Sequence, residues 1–190
     1  MLQNFLNLIE RGNYLVFDTE TTGLRGDDEI CQLAVIDDTG AVLMDTLIKP
    51  NKLIPGDATA IHGISNEMVQ DAPDWGYISP RLERLLKERN VIVYNAKYDR
   101  MMMHQSASAA GMPRVAWSEL AMFTCAMEAY AEFYGDWNGY HGSYRWQPLS
   151  KAAAHLGIPV LDAHDALGDC RMTLAVCRAM AASRPESISK

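Results

Sequence analysis

Asp18 and Glu20 are the first residues in the chain whose types and spacing could do chemistry. They stand in the run Tyr14-Leu15-Val16-Phe17-Asp18-Thr19-Glu20-Thr21-Thr22-Gly23-Leu24. Alternate residues of a strand face the same way, so extended backbone from Leu15 to Glu20 presents both carboxylates on one side. With roughly 3.3 Å of rise per residue their attachment points lie about 6.5–7 Å apart, a separation at which two carboxylates can share hard divalent cations. The residues leading into the pair are apolar, which reads as a buried strand. Unpaired carboxylates at the end of such a strand repel each other and favour their protonated forms. Either a cation joins them or the strand ends at the surface.

Three later segments carry further candidates: Ile61-His62-Gly63-Ile64, Asn95-Ala96-Lys97-Tyr98-Asp99 and His164-Asp165-Ala166-Leu167-Gly168-Asp169. Taken singly, Asp99 is a helix-start carboxylate favoured by the dipole, and His62 is a turn residue whose ring packs on a neighbouring strand. The last segment has a geometric constraint of its own. Five helical residues rotate about 500°, which leaves His164 and Asp169 about 140° apart at 3.6 residues per turn. The two cannot share a helix face. His164 must therefore lie at or before the helix start, with Asp169 one turn in and Asp165 available as the N-cap.

The elements that must position these groups follow from periodicity and turn chemistry. Leu2, Phe5, Leu6 and Ile9 fall at helical spacing and predict a short N-terminal helix. After the strand from Leu15 to Glu20, Ile30 to Asp37 and Ala41 to Ile48 read as two more strands. Asp37-Asp38-Thr39-Gly40 is a hairpin-type turn between them, so the three form an antiparallel meander. Ser65 predicts the cap of a short helix running to about Gln70, and Ser79-Pro80 the start of a stronger one. Val91 to Tyr94 is a short buried strand, and Asn95 to Asp99 leads into a helix that stops before Gly111-Met112-Pro113. A further helix is predicted from about Thr124 to Tyr134, an irregular aromatic stretch over Gly135 to Gln147, and helices over Leu149 to Leu156 and His164 to about Ala182. Strands alternating with helices after a meander make an α/β fold with a mixed sheet and helical layers.

Together these segments resemble the motif set of the DnaQ-like, or DEDDh, 3′–5′ exonucleases, of the exodeoxyribonuclease X and RNase T type, within the ribonuclease H-like superfamily. The motifs span residues 18 to 169 in order, nearly the whole chain. The resemblance implies a five-stranded mixed sheet with the first strand central and helices on both faces. It implies that Asp18, Glu20, Asp99 and Asp169 hold two Mg²⁺ or Mn²⁺ ions, and that His164 acts as general base. Thr21, Thr22, Leu24, His62 and Asn95 are implied to contact the terminal nucleotide. One departure is visible: the family often has a His before the Asn of the second motif, and Tyr94 stands there in this sequence. The implied substrate is nucleic acid with a free 3′ end, single-stranded DNA or frayed ends, released as nucleoside 5′-monophosphates. An exoribonuclease of the RNase T or oligoribonuclease type is the nearest rival. A polymerase-bound proofreading subunit ranks lower, because only Ser183 to Lys190 follow the last helix.

Bulk composition bounds these expectations. The 190 residues suit a single domain spanning 1–190, and 48% hydrophobic with 22% charged residues are ordinary globular values. No apolar run approaches the roughly 20 residues that span a bilayer, and the N-terminus lacks the basic leader of a signal peptide. Cys31, Cys125, Cys170 and Cys177 form no C-x-x-C pair, which fits a reducing cytoplasm. The net charge of −7 argues against a basic nucleic-acid-binding surface but not against an acidic site neutralised by metal. Oligomeric state is not legible, and a homodimer stays open. The run from Trp137 to Trp146 offers aromatic faces that could stack on bases or pack on one another.

Overall fold

The computed structural model describes residues 1–160 and 164–183. In chain order the elements are α1 (Leu2–Arg11), β1 (Tyr14–Thr21), β2 (Ile30–Asp37), β3 (Val42–Leu47), α2 (Gly56–His62), α3 (Trp75–Leu86) and β4 (Asn90–Val93). Then follow α4 (Ala96–Ala109), α5 (Trp117–Leu120), β5 (Met122–Cys125), α6 (Ala126–Tyr134), β6 (Trp137–Asn138), β7 (Ser143–Tyr144), α7 (Leu149–His155) and α8 (Ala166–Ala182). The main sheet runs β3-β2-β1-β4-β5, with β1 in the middle. β1–β2 and β2–β3 pair antiparallel, β1–β4 and β4–β5 parallel. This is the five-stranded mixed sheet expected from the sequence.

Alternation along β1 assigns its two faces. Tyr14 and Val16 join the core formed with α1, α6, α7 and α8, whereas Leu15 and Phe17 join the core formed with α3, α4 and α5. Burying a side chain such as Phe17 is worth about 1.5–3 kcal/mol, so the strand cannot slip by one residue without exchanging both faces. Asp18 and Glu20 therefore continue the α8 face, and Thr19 and Thr21 the α4 face.

Four local expectations change. The helix expected from Ser65 lies earlier, at α2, because Pro55 supplies the extended N-cap conformation and Gly63, at φ 77, takes the left-handed C-cap. Residues 66–72 form turns instead. α3 starts at Trp75, not at Pro80: the Asp74 carboxylate caps it by accepting from the Tyr77 N–H at 2.9 Å. Pro80 sits inside this helix and has no N–H to give back to the Gly76 carbonyl. The fifth strand, β5, occupies Met122–Cys125, so α6 begins at Ala126 rather than Thr124. The aromatic stretch is not wholly irregular, since β6 and β7 pair as a small hairpin in which Trp137 and Tyr144 meet edge to face at 5.0 Å. The stretch 184–190, which the argument about a polymerase-binding segment used, lies outside the described residues.

Candidate active site

β1 carries Asp18 and Glu20 out of the core on the α8 side. Oxygens of Asp18, Glu20 and Asp169 lie within 4.8 Å of one another, all three residues half-buried. Asp169 reaches them because α8 starts where the rotation argument requires: Asp165 is the N-cap, its carboxylate accepting from the Gly168 N–H at 3.0 Å. His164 stands just outside the helix, exposed, with its backbone in the left-handed region at φ 66. Its backbone N–H donates to the Asp169 carboxylate. Asp99 arrives from the other side of the sheet, in the first turn of α4, and is 3% exposed. The Thr19 hydroxyl donates to Asp99 Oδ1 at 2.8 Å, fixing the carboxyl against β1.

Electrostatics single this cluster out. Burial pushes Asp18 well above the usual carboxylate range, reinforced by the charges of Asp99, Asp169 and Glu20. Burial, then Asp169, Asp165 and Asp99, push Glu20 up to about 8. Asp99 rises to about 7 through burial, opposed by its bond from Thr19. Burial also raises Asp169, against the opposing effect of His164. None of the ion pairs among the described residues touches these four groups. Like-charged carboxylates without a counter-ion are costly, and hard oxygen donors in this arrangement suit Mg²⁺ or Mn²⁺. The donor set fits divalent metal.

The remaining predicted residues divide. Thr21 is buried at the strand end, its hydroxyl donating to the Gly23 carbonyl at 3.0 Å and lying 2.7 Å from the Tyr98 hydroxyl. Leu24 follows on the turn with 81% of its surface exposed, free to meet a ligand. The turn is tight: a Cβ on Gly23 would stand 2.6 Å from an Asp28 carboxylate oxygen, so only glycine fits. Asn95, half-buried at φ 90, precedes α4, and its carbonyl accepts from the Tyr98 N–H at 2.9 Å. His62 is half-buried at the end of α2. Its Nδ1 accepts from the Ile64 N–H at 3.1 Å, which leaves Nε2 to donate to the Thr21 carbonyl at 3.2 Å. Burial lowers its pKa, opposed by the Thr21 bond, so the ring is neutral and stitches α2 to the end of β1.

Thr22 is buried in the same turn. Its hydroxyl donates to Asp28 Oδ1 at 3.0 Å and accepts from the Glu29 N–H, while its own N–H donates to the Glu29 carbonyl at 2.8 Å. These bonds hold Thr22 inside the turn that carries Leu24. Tyr94, at the position where the family often has His, donates its hydroxyl to the Gln147 carbonyl at 2.8 Å and is part of the core.

Sequence reasoning missed Gln32. Its side-chain amide donates to Asp165 Oδ1 at 2.7 Å and accepts from the Ala166 N–H at 3.1 Å, gripping the start of α8. Gln32 lies directly opposite Glu20 in the β1–β2 register. The available signal was a lone polar residue in the otherwise apolar run Ile30 to Ile36.

A five-stranded mixed sheet with carboxylates gathered at the end of its central strand defines a nuclease of the ribonuclease H-like class. The chain belongs to the exonuclease family, in its DnaQ-like branch: the family model described as Exonuclease (RNase T) matches residues 15–177. The uncharacterized exonuclease CP81 of Escherichia phage 186 is 43% identical over 170 residues, covering 88% of this chain and 87% of the phage protein. The DNA polymerase III epsilon subunit of Treponema pallidum is 31% identical over 173 residues, covering 89% and 76%. Among solved structures, exonuclease X in complex with 5′ overhanging duplex DNA superposes with a TM-score of 0.65 at 25% identity, over 90% of this chain and 92% of that one. The zinc-bound E. coli exonuclease I complex with single-stranded DNA gives 0.74 at 20% identity, over 92% of this chain but 41% of the other. That likeness shows the fold alone. Among the described residues, no helix is long and apolar enough to cross a membrane.

Proposed function

We propose that this chain, working as one cytoplasmic domain, is a metal-dependent 3′–5′ exonuclease. It removes nucleoside 5′-monophosphates from the 3′ ends of DNA, single-stranded or frayed. The observation that carries this reading is the uncompensated group of Asp18, Glu20 and Asp169, with oxygens within 4.8 Å, joined by buried Asp99. Two Mg²⁺ or Mn²⁺ ions held by these four carboxylates would supply positive charge at the attacking and leaving oxygens of an in-line phosphodiester displacement.

The chain's own residues supply the rest. His164, exposed in front of the α8 N-terminus, takes the proton from the attacking water, a task matched to an imidazole near neutral pH. Its left-handed backbone and the Asp165 cap hold it ahead of the helix, where it can meet solvent and Asp169 together. Leu24 offers an apolar surface to the terminal base, and Asn95 borders the same end of the sheet. Thr21 and the neutral His62 hold the turn that carries Leu24. The preference for DNA is supported by the DNA complex of exonuclease X among the structural neighbours.

The test is digestion of 5′-labelled single-stranded DNA, duplex DNA and RNA, each with Mg²⁺, with Mn²⁺ and with EDTA. A 3′-end ladder on single-stranded DNA that EDTA abolishes is expected. Hydrolysis that persists in EDTA sinks the metal assignment, and faster digestion of RNA transfers the reading to an exoribonuclease.

A further inference from the structure

The face of α4 opposite Asp99 borders a second concavity of about 880 Å³. At 100° per residue, Lys97, Arg100, His104 and Ser108 fall in an arc of about 80°, its centre roughly 130° from that of the stripe holding Asp99, Met103 and Ser106. The first stripe lines the cleft, while the second is buried against the sheet. Arg114 and Trp117 close the far side, and Gly26 and Asp27 of the β1–β2 turn close the near one. The near wall is fixed: the Gln105 amide, in the orientation that satisfies both its ends, donates to the Arg25 and Asp28 carbonyls at 3.1 and 2.8 Å.

Two features mark this cleft as built for an anion. Lys97, Arg100 and Arg114 all line it in a protein whose net charge is −7, Arg100 with its guanidinium over the Phe123 ring, and the carboxylate in the wall, Asp27, is paired with Lys52 at 3.2 Å. Two buried polar atoms of lining residues also have no partner, the Trp117 indole N–H and His104 Nδ1. Trp117 is 1% exposed. A buried donor without an acceptor costs about 1–3 kcal/mol, and native structures keep few of them. Burial, and secondarily Arg114 and Arg100, hold the His104 imidazole below its ordinary range. An oxyanion would answer the charge and give the Trp117 indole N–H an acceptor, and the volume suits a ligand of nucleotide size rather than an isolated ion.

We infer that the cleft between α4, Arg114 and Trp117 is a second nucleotide-phosphate site, on the opposite face of α4 from the catalytic carboxylates. The phosphate belongs either to a free mononucleotide or to the upstream part of a bound strand; the chemistry of recognition is the same. The choice of a nucleotide over other phosphate compounds rests on the exonuclease reading.

The test uses the four tryptophans, whose indole N–H groups give separate nitrogen-15 NMR signals, with Trp117→Phe identifying one of them. The full chain in EDTA is titrated with inorganic phosphate, thymidine 5′-monophosphate and octathymidylate. A saturable shift of the Trp117 signal with the mononucleotide or the octamer is expected. The Arg100→Ala, Arg114→Ala double variant should weaken it about tenfold or more, as two charge-assisted contacts are lost. The same variant should hydrolyse thymidine 5′-(p-nitrophenyl phosphate) in Mg²⁺ at the unaltered rate. A response to both nucleotide probes assigns the site to free nucleotide, and a response to the octamer alone assigns it to the strand. No shift with either, or a shift undiminished in the double variant, overturns the inference. A protein that digests DNA yet shows no shift loses only the cleft; one that shows the shift but does not digest loses only the catalytic reading.

Discussion

Two acidic clusters meet at or near the end of β1, and the protein treats them in opposite ways. Asp28 and Glu29, 3% and 4% exposed, are surrounded by donors. Asp28 accepts from the Arg25 N–H at 2.6 Å and the Thr22 hydroxyl at 3.0 Å, and pairs with Lys52 at 2.6 Å. Glu29 accepts from the Asn51 and Lys52 backbone N–H groups and the Asn51 side chain. Burial alone would raise Asp28, but Lys52, Arg25 and Thr22 outweigh it and hold the carboxyl below its ordinary value. Among Asp18, Glu20, Asp99 and Asp169, Asp99 accepts from the Thr19 hydroxyl and from backbone N–H groups and Asp169 from the His164 N–H, yet all four are raised. The difference separates a carboxylate that fixes a turn from one kept for an external cation. One cluster has its counter-ion inside the fold; the other has none among the described residues.

Removing charge from the uncompensated cluster should have the largest effect. Asp18→Asn is expected to reduce Mg²⁺-dependent hydrolysis to background while raising, not lowering, the melting temperature of the metal-free protein at pH 7. A variant that keeps substantial activity, or that melts earlier, would break the contrast. His164→Ala should slow the chemical step by roughly 10²–10⁴, the range for a general base, and a loss under tenfold in single-turnover kinetics would remove His164 from that role. Gln32→Ala frees Asp165 and the α8 start from β2, and so should lower kcat by about 10–100-fold, the scale for groups that orient ligands from behind. KM should change little; a loss confined to KM would show that Gln32 does not work through His164 and Asp169.

Stability against pH gives a finer test. Glu20 and Asp99 titrate at about 8 and about 7 in the fold, against ordinary values of 4.5 and 3.8. The native state therefore holds protons that the unfolded chain releases. Their stabilisation is complete below about pH 4 and is lost as pH rises through 7 and 8. Asp28 has the reverse sign, its contribution present above 3.8 and lost as pH falls through its lower folded value. Melts in EDTA from pH 5 to 8 should show falling stability, a slope that Asp18→Asn flattens and that added Mg²⁺ opposes. A flat profile in the unmodified protein would refute the raised values. The smallest effect expected is that of Lys52→Met, which leaves Asp28 with two donors and should cost about 1–3 kcal/mol by denaturant titration. Full stability there would mean that the turn does not depend on its ion pair.

Much of the site was legible in the chain because it depends on local geometry. Strand alternation put Asp18 and Glu20 on one side, and the rotation between His164 and Asp169 required the histidine to precede the helix. Both hold in the structure, and so do the meander and the central position of β1. What failed locally failed for a reason of competition. Ser65 and Ser79-Pro80 are sound start signals, but Pro55 with Gly63 and Asp74 with Trp75 start their helices first.

The sequence by itself determined which residues could carry the chemistry and how each must sit on its own element, since periodicity and capping act over one or two turns. Only the tertiary structure decided what those residues meet. Thr19 finds Asp99 across 80 positions and Gln32 finds Asp165 across 133. Neither pairing leaves a trace in spacing, because a hydrogen bond between distant segments is set by how the layers pack. The same packing decided that one acidic cluster would receive Lys52 and the other would not. It also turned the basic side of α4 toward Trp117, away from the carboxylate that the helix was recognised by.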